Sequence, residues 1–544
     1  MLIRRSLALL LLLALPLAAQ DAELDRIASQ AFASDAPGGA VLVLKGGKTL
    51  LRAGYGMADL EQGTKITPDS VFRIGSITKQ FTAVAVLQLV ERGKIALGDP
   101  ITKFLPDYPT HGKTITIEHL LTHTSGIQSY TDKPDFLTAA QREYTPAQII
   151  DTFRNDPMKF DPGAQWAYNN SGYILLGQII EKVSGMPYAE YVQKNVLARA
   201  GLTHSRYGDN APIVPKRVPG YSRNGQAVVN ARYINMTFPY AAGALLSTVD
   251  DLAQWNAALA AGKVVDRKLL DRAWTRYQLT SGENTGYGYG WAVGELSGER
   301  VIQHGGGIFG YTSFELWMPD RDLYTAILSN SDSPEMDPGY VAGLLALQAI
   351  GKPWVTSTIA MSADELAAYT GVYRVDANTT RTLTLEDGRL YSQRSGGPRA
   401  AITPVAKDTF GFSNSFTRMT FERDAAGRVA AMIVDDGRTK TRAARTDEKP
   451  ATRTVIEIEP AKLDRYTGRY ELRPGFILTI LRRGDELWSV ATGQPEFRIY
   501  PESETSWFLK AFDAQLTFEF DENGVANGLT LHQGGRNIPA PKIK

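Results

Sequence analysis

Ser76 and Lys79 stand three residues apart in the stretch FRIGSITKQFTAVAVLQLVERGK, which begins at Phe72. On a helix that spacing puts both side chains on one face, one turn apart. A serine hydroxyl is a weak nucleophile that must lose its proton as it attacks, and a neutral lysine amine is able to help take it. Burial favours that neutral form, because desolvation penalises the ammonium. The apolar run Phe81, Val84, Ala85, Val86, Leu87, Leu89 and Val90 predicts a helix buried on most sides, with Lys79 in its first turn. Two readings of the lysine stand side by side: a cation at a frayed end that reaches water, or a residue that helps Ser76 lose its proton. An S-x-x-K match arises about once or twice by chance in a chain of this length. The choice therefore turns on what else the chain holds.

The elements that must position this pair alternate between helical and extended patterns from about residue 21 to 350, as in an α/β or α+β domain. VLVLKGGKTLLRAGYG reads as two strands joined by a turn at Gly46 and Gly47. GYGWAVG, RVIQHGGG, TSFELWMP and LYTAILSN read as a late group of strands. SGYILLGQIIEKVSG and STVDDLAQWNAALAAG read as helices, the second opening with Ser247 and Asp250 in an arrangement like a capping box. DPGYVAGLLALQAIG reads as the last helix of the domain, closing near Gly351.

After Pro353 the texture changes to short strands and turns, and the chain repeats itself. LAAYTGVY matches LDRYTGRY, and MTFERDAAGRV matches LTFEFDENGVA. Tyr369 and Tyr466, Leu390 and Leu487, Phe410 and Trp507, and Phe421 and Phe518 are each 97 residues apart. A constant offset over four anchors means two copies of one domain. About eight antiparallel strands closing into a small barrel is the natural architecture for each, because closure removes exposed edges. The polar stretch RTDEKPATRT reads as the linker between the copies.

Two further signals lie downstream of Ser76. Tyr168-Asn169-Asn170 precedes a helix, and His304-Gly305-Gly306-Gly307 stands at a strand-like end. Together with Ser76-Ile77-Thr78-Lys79 these resemble the three motifs of the penicillin-recognising serine hydrolases: S-x-x-K, Y-x-N, and K-T-G or H-x-G. That family includes class C β-lactamases, DD-carboxypeptidases, related esterases and D-aminopeptidases. HLLTHTSGI, GALLSTVDDLAQW and GYGYGW are also similar to the family, and the resemblance spans about residues 30 to 350.

The resemblance implies a β-lactamase-like catalytic domain, acyl-enzyme chemistry on Ser76, and Lys79 and Tyr168 as its catalytic partners. Which residue is the acylation base stays open, with Tyr168 a candidate for deacylation. The N–H groups of Ser76 and Gly307 would bind the oxyanion, and the glycines Gly306 and Gly307 would let the backbone approach the substrate. Asn170 would hold a substrate amide or orient Lys79. His304 is the main departure. It stands where lysine offers a permanent charge to a substrate carboxylate, and an ordinary histidine is only fractionally charged near neutral pH. This shifts the expectation from β-lactamase or DD-carboxypeptidase activity towards small amides, D-aminopeptidase-like peptides or short esters. D-aminopeptidases are also similar in carrying two small β-barrel domains after the catalytic domain. The reading from another class is a non-catalytic penicillin- or peptide-binding protein; missing motif residues would favour it, and none is missing.

Composition narrows the rest. A chain of 544 residues with 43% hydrophobic and 22% charged content builds a large core, and its net charge of +1 gives no reason to expect nucleic acid as a partner. Cysteine is absent, which excludes disulfides and thiolate chemistry. Arg4 and Arg5, the apolar run Leu7 to Leu17 and the small residues Ala18 and Ala19 read as a secretory signal peptide. The apolar run is shorter than a membrane span needs, so no stable anchor is expected and the protein is placed in the periplasm or medium. His119 and His123 have i, i+4 spacing, but no glutamate follows as in H-E-x-x-H, so both read as structural. No metal or cofactor is expected. The substrate partner is a small molecule or short peptide, and the sequence leaves the oligomeric state open. The boundaries are 1–20 for the signal peptide, 21–355 for the hydrolase domain, 360–447 for the first barrel and 458–544 for the second.

Overall fold

The computed structural model describes residues 21–225, 227–436, 440–450, 453–473, 475–492 and 494–543. The expected signal peptide, with its cleavage near Ala19 or Gln20, lies outside the described residues. No helix among them is long and apolar enough to cross a membrane. The chain divides into two compact units between Trp354 and Val355.

In the first unit, six strands form an antiparallel sheet: β1 (Gly39–Lys45), β2 (Lys48–Tyr55), β3 (Ala292–Leu296), β4 (Glu299–Ile308), β5 (Tyr311–Met318) and β6 (Leu323–Ser329). Their order is β3-β4-β5-β6-β1-β2, so the first strand pairs with the last, Gly39 opposite Ser329. The β1–β2 turn uses Gly46 and Gly47 at φ 56° and 71°, the left-handed pair that a tight hairpin requires. The GYGW stretch precedes β3, which starts only at Ala292.

Four longer helices build the rest: α1 (Thr78–Glu91), α2 (Asn170–Ser184), α3 (Val249–Ala260) and α4 (Pro338–Ala349). α1 is buried continuously from Thr78 to Leu89, as its unbroken apolar run requires, and a single 3₁₀ turn at Gly75–Ile77 leads into it. α2 is capped by Asn169, whose side chain accepts the Gly172 N–H, and stops at Gly185 at φ 72°. The cap of α3 falls one residue later than the sequence suggested. Thr248 accepts the Asp251 N–H, while Ser247 ends the short strand Leu245–Ser247. That strand pairs with Phe72–Arg73, which fixes the approach to Ser76.

The second unit holds two closed eight-stranded barrels. Strand Gly371–Arg374 closes the first by pairing Tyr373 with Arg445, and strand Gly468–Arg473 closes the second by pairing Arg469 with Ile543. The repeat is visible in the cores, where Tyr369, Tyr373, Leu383, Leu390, Phe410 and Phe421 of one barrel answer Tyr466, Tyr470, Ile480, Leu487, Trp507 and Phe518 of the other. Each barrel uses the same corner bond. Tyr373 donates to the Tyr369 carbonyl at 2.7 Å, and Tyr470 to the Tyr466 carbonyl at 2.7 Å. The second barrel also encloses a cavity of about 210 Å³ lined by Leu478, Phe497, Leu516 and Leu531.

Candidate active site

Ser76 enters at the turn before α1, and its position depends on backbone contact without side chains. Gly75 has φ 49°, and a Cβ there would stand 2.9 Å from the Gly307 nitrogen. A Cβ on Gly306 would fall 2.0 Å from the Ile74 carbonyl oxygen and 2.3 Å from Ser313 Oγ. The glycines of the H-G-G-G stretch therefore let β4 lie directly against the serine turn. Gly307 has open space beside it instead.

Lys79 is fully buried. Its Nζ lies 3.1 Å from Ser76 Oγ, 2.8 Å from Asn170 Oδ1 and 2.8 Å from the Ala242 carbonyl. It also stands 4.9 Å from the centre of the Tyr168 ring and 5.4 Å from that of Tyr173. No carboxylate is among these partners, and burial holds the amine well below its ordinary pKa. The frayed-end reading of Lys79 therefore does not hold. Two of its three partners are carbonyl oxygens, which only accept. A neutral Lys79 donates both its hydrogens to them and turns its lone pair to the Ser76 hydroxyl.

Asn170, the first residue of α2, is held for this contact. Its Nδ2 donates to Thr131 Oγ1 at 3.1 Å and its backbone N–H to Ser129 Oγ at 3.2 Å, which leaves Oδ1 facing the lysine. Tyr168 keeps 38% of its surface exposed, but its hydroxyl is bonded to Ser76 in surroundings that raise its pKa. Tyr168 is accordingly a phenol at neutral pH and not a standing phenolate.

His304 differs from the expectation of a fractionally charged, substrate-facing residue. It is 6% exposed, and burial with the nearby Lys79 pushes its pKa down to about 3. Its Nδ1–H donates to the Gly305 carbonyl at 2.6 Å, so Nε2 accepts from the Tyr287 hydroxyl at 2.8 Å. Both ring nitrogens are occupied and the ring is neutral. It packs behind Tyr168, with ring centres 6.2 Å apart.

His123 lies on the same side. Its Nδ1 accepts the Asn169 N–H at 3.1 Å, and its buried Nε2 has no hydrogen-bond partner. Its ring lies 4.4 Å from Tyr168 and 4.7 Å from Tyr287, centre to centre. His119, in contrast, caps a short helix through Thr116. Thr131, Tyr287 and the Ala242 carbonyl were not singled out in the sequence. GYGYGW, which holds Tyr287, and the stretch from Gly243 carry only a family-like pattern.

Ser76, Asn170 and Gly307 open on a cleft of about 360 Å³. Its walls include Tyr130, Phe136, Ile234, Phe238, Phe309 and Tyr311, with Asp332 as a carboxylate among them. Lys79, His304 and Gly306 stand behind this lining, and the exposed Tyr168 reaches it through its bond to Ser76.

A family model described as "Beta-lactamase" matches residues 24–350, more than half of the chain. The chain belongs to the beta-lactamase family. Members of this family are serine hydrolases. A "Domain of unknown function (DUF3471)" matches twice after the beta-lactamase domain, at 356–449 and 452–541, once on each barrel. Penicillin-binding protein 4* of Bacillus subtilis is 26% identical over 425 residues, which cover 73% of this chain and 93% of that protein. The octameric penicillin-binding protein homologue from Pyrococcus abyssi superposes with a TM-score of 0.56 at 25% identity, over 79% of this chain and 99% of that one. A D-stereospecific amidohydrolase from a Streptomyces species superposes with a TM-score of 0.50 at 29% identity, over 57% of this chain and 94% of that one.

Proposed function

We propose that the protein is an exported serine hydrolase that forms an acyl-enzyme on Ser76, with small D-aminoacyl amides, short peptides or short esters as acyl donors. The observation that carries this reading is the buried Lys79, bonded to Ser76 Oγ and to two carbonyl oxygens with no counter-ion. Lys79 takes the Ser76 proton as Oγ bonds to the substrate carbonyl carbon. The oxyanion is received by the N–H groups of Ser76 and Gly307, donors whose loss typically costs about 10²- to 10³-fold. The tetrahedral species then expels the amine or alcohol, which takes a proton through the Tyr168 hydroxyl. Tyr168 is re-protonated from Lys79, returning the amine to its neutral form. Water repeats the attack, with Lys79 and Tyr168 moving its proton, and frees the acid and Ser76.

The D-stereospecific amidohydrolase among the similar structures supports an amide substrate. Asp332 on the cleft wall supports an acyl donor that bears an ammonium group. The neutral His304 weighs against a leaving group held by its carboxylate, as β-lactams and wall peptides would require. Export rests on the N-terminal segment.

The test is labelling by a fluorophosphonate, followed by peptide mass spectrometry. The expected adduct is on Ser76 and disappears in Ser76→Ala. D-aminoacyl p-nitroanilides, p-nitrophenyl esters and a chromogenic cephalosporin are then compared side by side. Label on another serine would overturn the mechanism, and fastest turnover of the cephalosporin would overturn the substrate class.

A further inference from the structure

One cation, set against the cleft-lining Tyr311, has no counter-ion among the described residues and no part in the chemistry above. Arg73 stands three residues before Ser76, on the short strand that pairs with Leu245–Ser247. It is half-buried, and the charged and phenolic groups that act on it are Tyr311, Arg217 and Tyr233, none of them a carboxylate. Burial and the second arginine both lower its pKa. A guanidinium offers five donors, and withdrawing one from water without an anion is costly. Arg52, Arg272 and Arg321 of the same unit are each bonded to a carboxylate.

Arg217 is brought alongside by the backbone. The Val71 N–H donates to the Lys216 carbonyl at 2.9 Å, and the Val218 N–H donates to the Val71 carbonyl at 3.2 Å. Arg217 is exposed and has no ion pair among the described residues. The pair is anchored to the cleft through Tyr311. That ring lies 5.7 Å from the Arg73 guanidinium carbon, and its hydroxyl donates to the Val218 carbonyl at 2.6 Å. Tyr311 lines the cleft, as does Ile234 beside Tyr233.

We propose that Arg73 and Arg217 form an anion subsite for a carboxylate on the acyl portion of the substrate. This rests on the hydrolase reading above. The acyl portion is assigned by position. Tyr168, which serves the leaving group, packs against His304 near one end of the cleft-facing part of β4, whereas Tyr311 follows the other end. Asp332 belongs to the Tyr311 end as well, with Oδ2 accepting from Ser222 Oγ at 2.6 Å and the Gly310 N–H at 2.8 Å. The carboxylate is assigned to the Arg73 face of the Tyr311 ring, because the Asp332 carboxylate would repel it. The substrate class becomes an acyl donor derived from a dicarboxylic acid, with the second acid group left free.

The test uses p-nitrophenyl esters of glutaric acid and of glutaramic acid, which are nearly isosteric and differ by one charge. The readout is the ratio of their kcat/KM values. Wild type should favour the glutaric ester, and Arg73→Gln should lower the ratio about tenfold, as expected for loss of a charge-assisted contact. Arg217→Ala, at an exposed site, should lower it about threefold and keeps the test decisive if Arg73→Gln fails to fold. A wild-type ratio at or below one, or a ratio that neither variant changes, overturns the subsite. If neither ester is turned over, the hydrolase reading fails instead. Calorimetric binding of glutarate then decides the subsite: weaker binding in the arginine variants supports it, and equal binding overturns it.

Discussion

Lys79 beside Ser76 and Arg423 in the first barrel are both cations set against a tyrosine ring, 4.9 Å from Tyr168 and 5.5 Å from Tyr369. Their other partners differ. Arg423 donates to Asp408 at 2.7 Å and to the Tyr369 hydroxyl at 3.1 Å, and Tyr369 donates to Asp408 at 2.8 Å. The second barrel has a similar arrangement, with Arg465 bonded to Glu504 and the Tyr466 hydroxyl. Those arginines are held charged, with pKa values raised. Lys79 has only neutral acceptors and is pushed the other way. A barrel gains from fixing a charge, whereas a proton acceptor has to be denied one. The catalytic unit accordingly carries a buried lysine without an anion.

The strongest way to break this contrast is Lys79→Met. Loss of the proton acceptor should lower kcat/KM by about 10²- to 10⁴-fold. Residual activity above about a tenth of wild type would show that the unpaired amine is not the base. Next is Thr131→Asp, which gives Lys79 a carboxylate neighbour and makes it resemble Arg423. An opposite charge favours the ammonium and raises the lysine pKa by about 1–3 units. Activity depends on the neutral amine, so it falls as pH drops through that pKa, and the acid limb of the kcat/KM profile should move to higher pH. An unmoved limb would mean that it reports another group.

In the barrel, Arg423→Met takes the guanidinium from Asp408, which keeps only the Tyr369 hydroxyl as donor, and leaves that hydroxyl without its own. It should cost about 1–2 kcal/mol, read as a lower urea midpoint followed by hydrogen exchange in peptides from the first barrel. A midpoint shift as small as that of an exposed control would remove the contrast.

The smallest effect concerns Glu315, buried opposite His304 on β5 and bonded to Tyr324 and Gln80. Burial raises its pKa to about 6, above the ordinary 4.5. The folded protein then binds the extra proton between those values, so stability should fall as pH rises from about 4.5 to 6, by about 1–2 kcal/mol. Glu315→Gln should flatten that slope in urea titrations at several pH values. A slope that persists would assign the proton to another group.

Much of this was legible because it was local or periodic. Ser76 and Lys79 share one turn of a helix whose apolar run announced its burial, and the 97-residue offset announced two barrels before any strand was seen. The α3 cap moved from Ser247 to Thr248 because both residues are good caps and strand pairing with Phe72 claimed the first. The full neutrality of His304 is not readable from the sequence, because it depends on Tyr287, Tyr168 and Lys79, which come from three other segments. Thr131 and the Ala242 carbonyl left no signal at all. One is a hydroxyl in the single 3₁₀ turn Tyr130–Asp132, and the other is a backbone atom that every residue possesses.

The close approach of the serine turn to β4 also has a consequence for mutational drift. Codons 75 and 306 encode residues for which even one methyl group has no room, whereas codon 307 encodes a glycine beside open space. A selection that randomises these positions should return glycine at the first two and admit alanine at the third, where the added methyl narrows the cleft. Acyl-donor preference is then free to evolve through one codon of the motif while its neighbours stay frozen, and related chains with altered specificity should differ at the former far more often than at the latter.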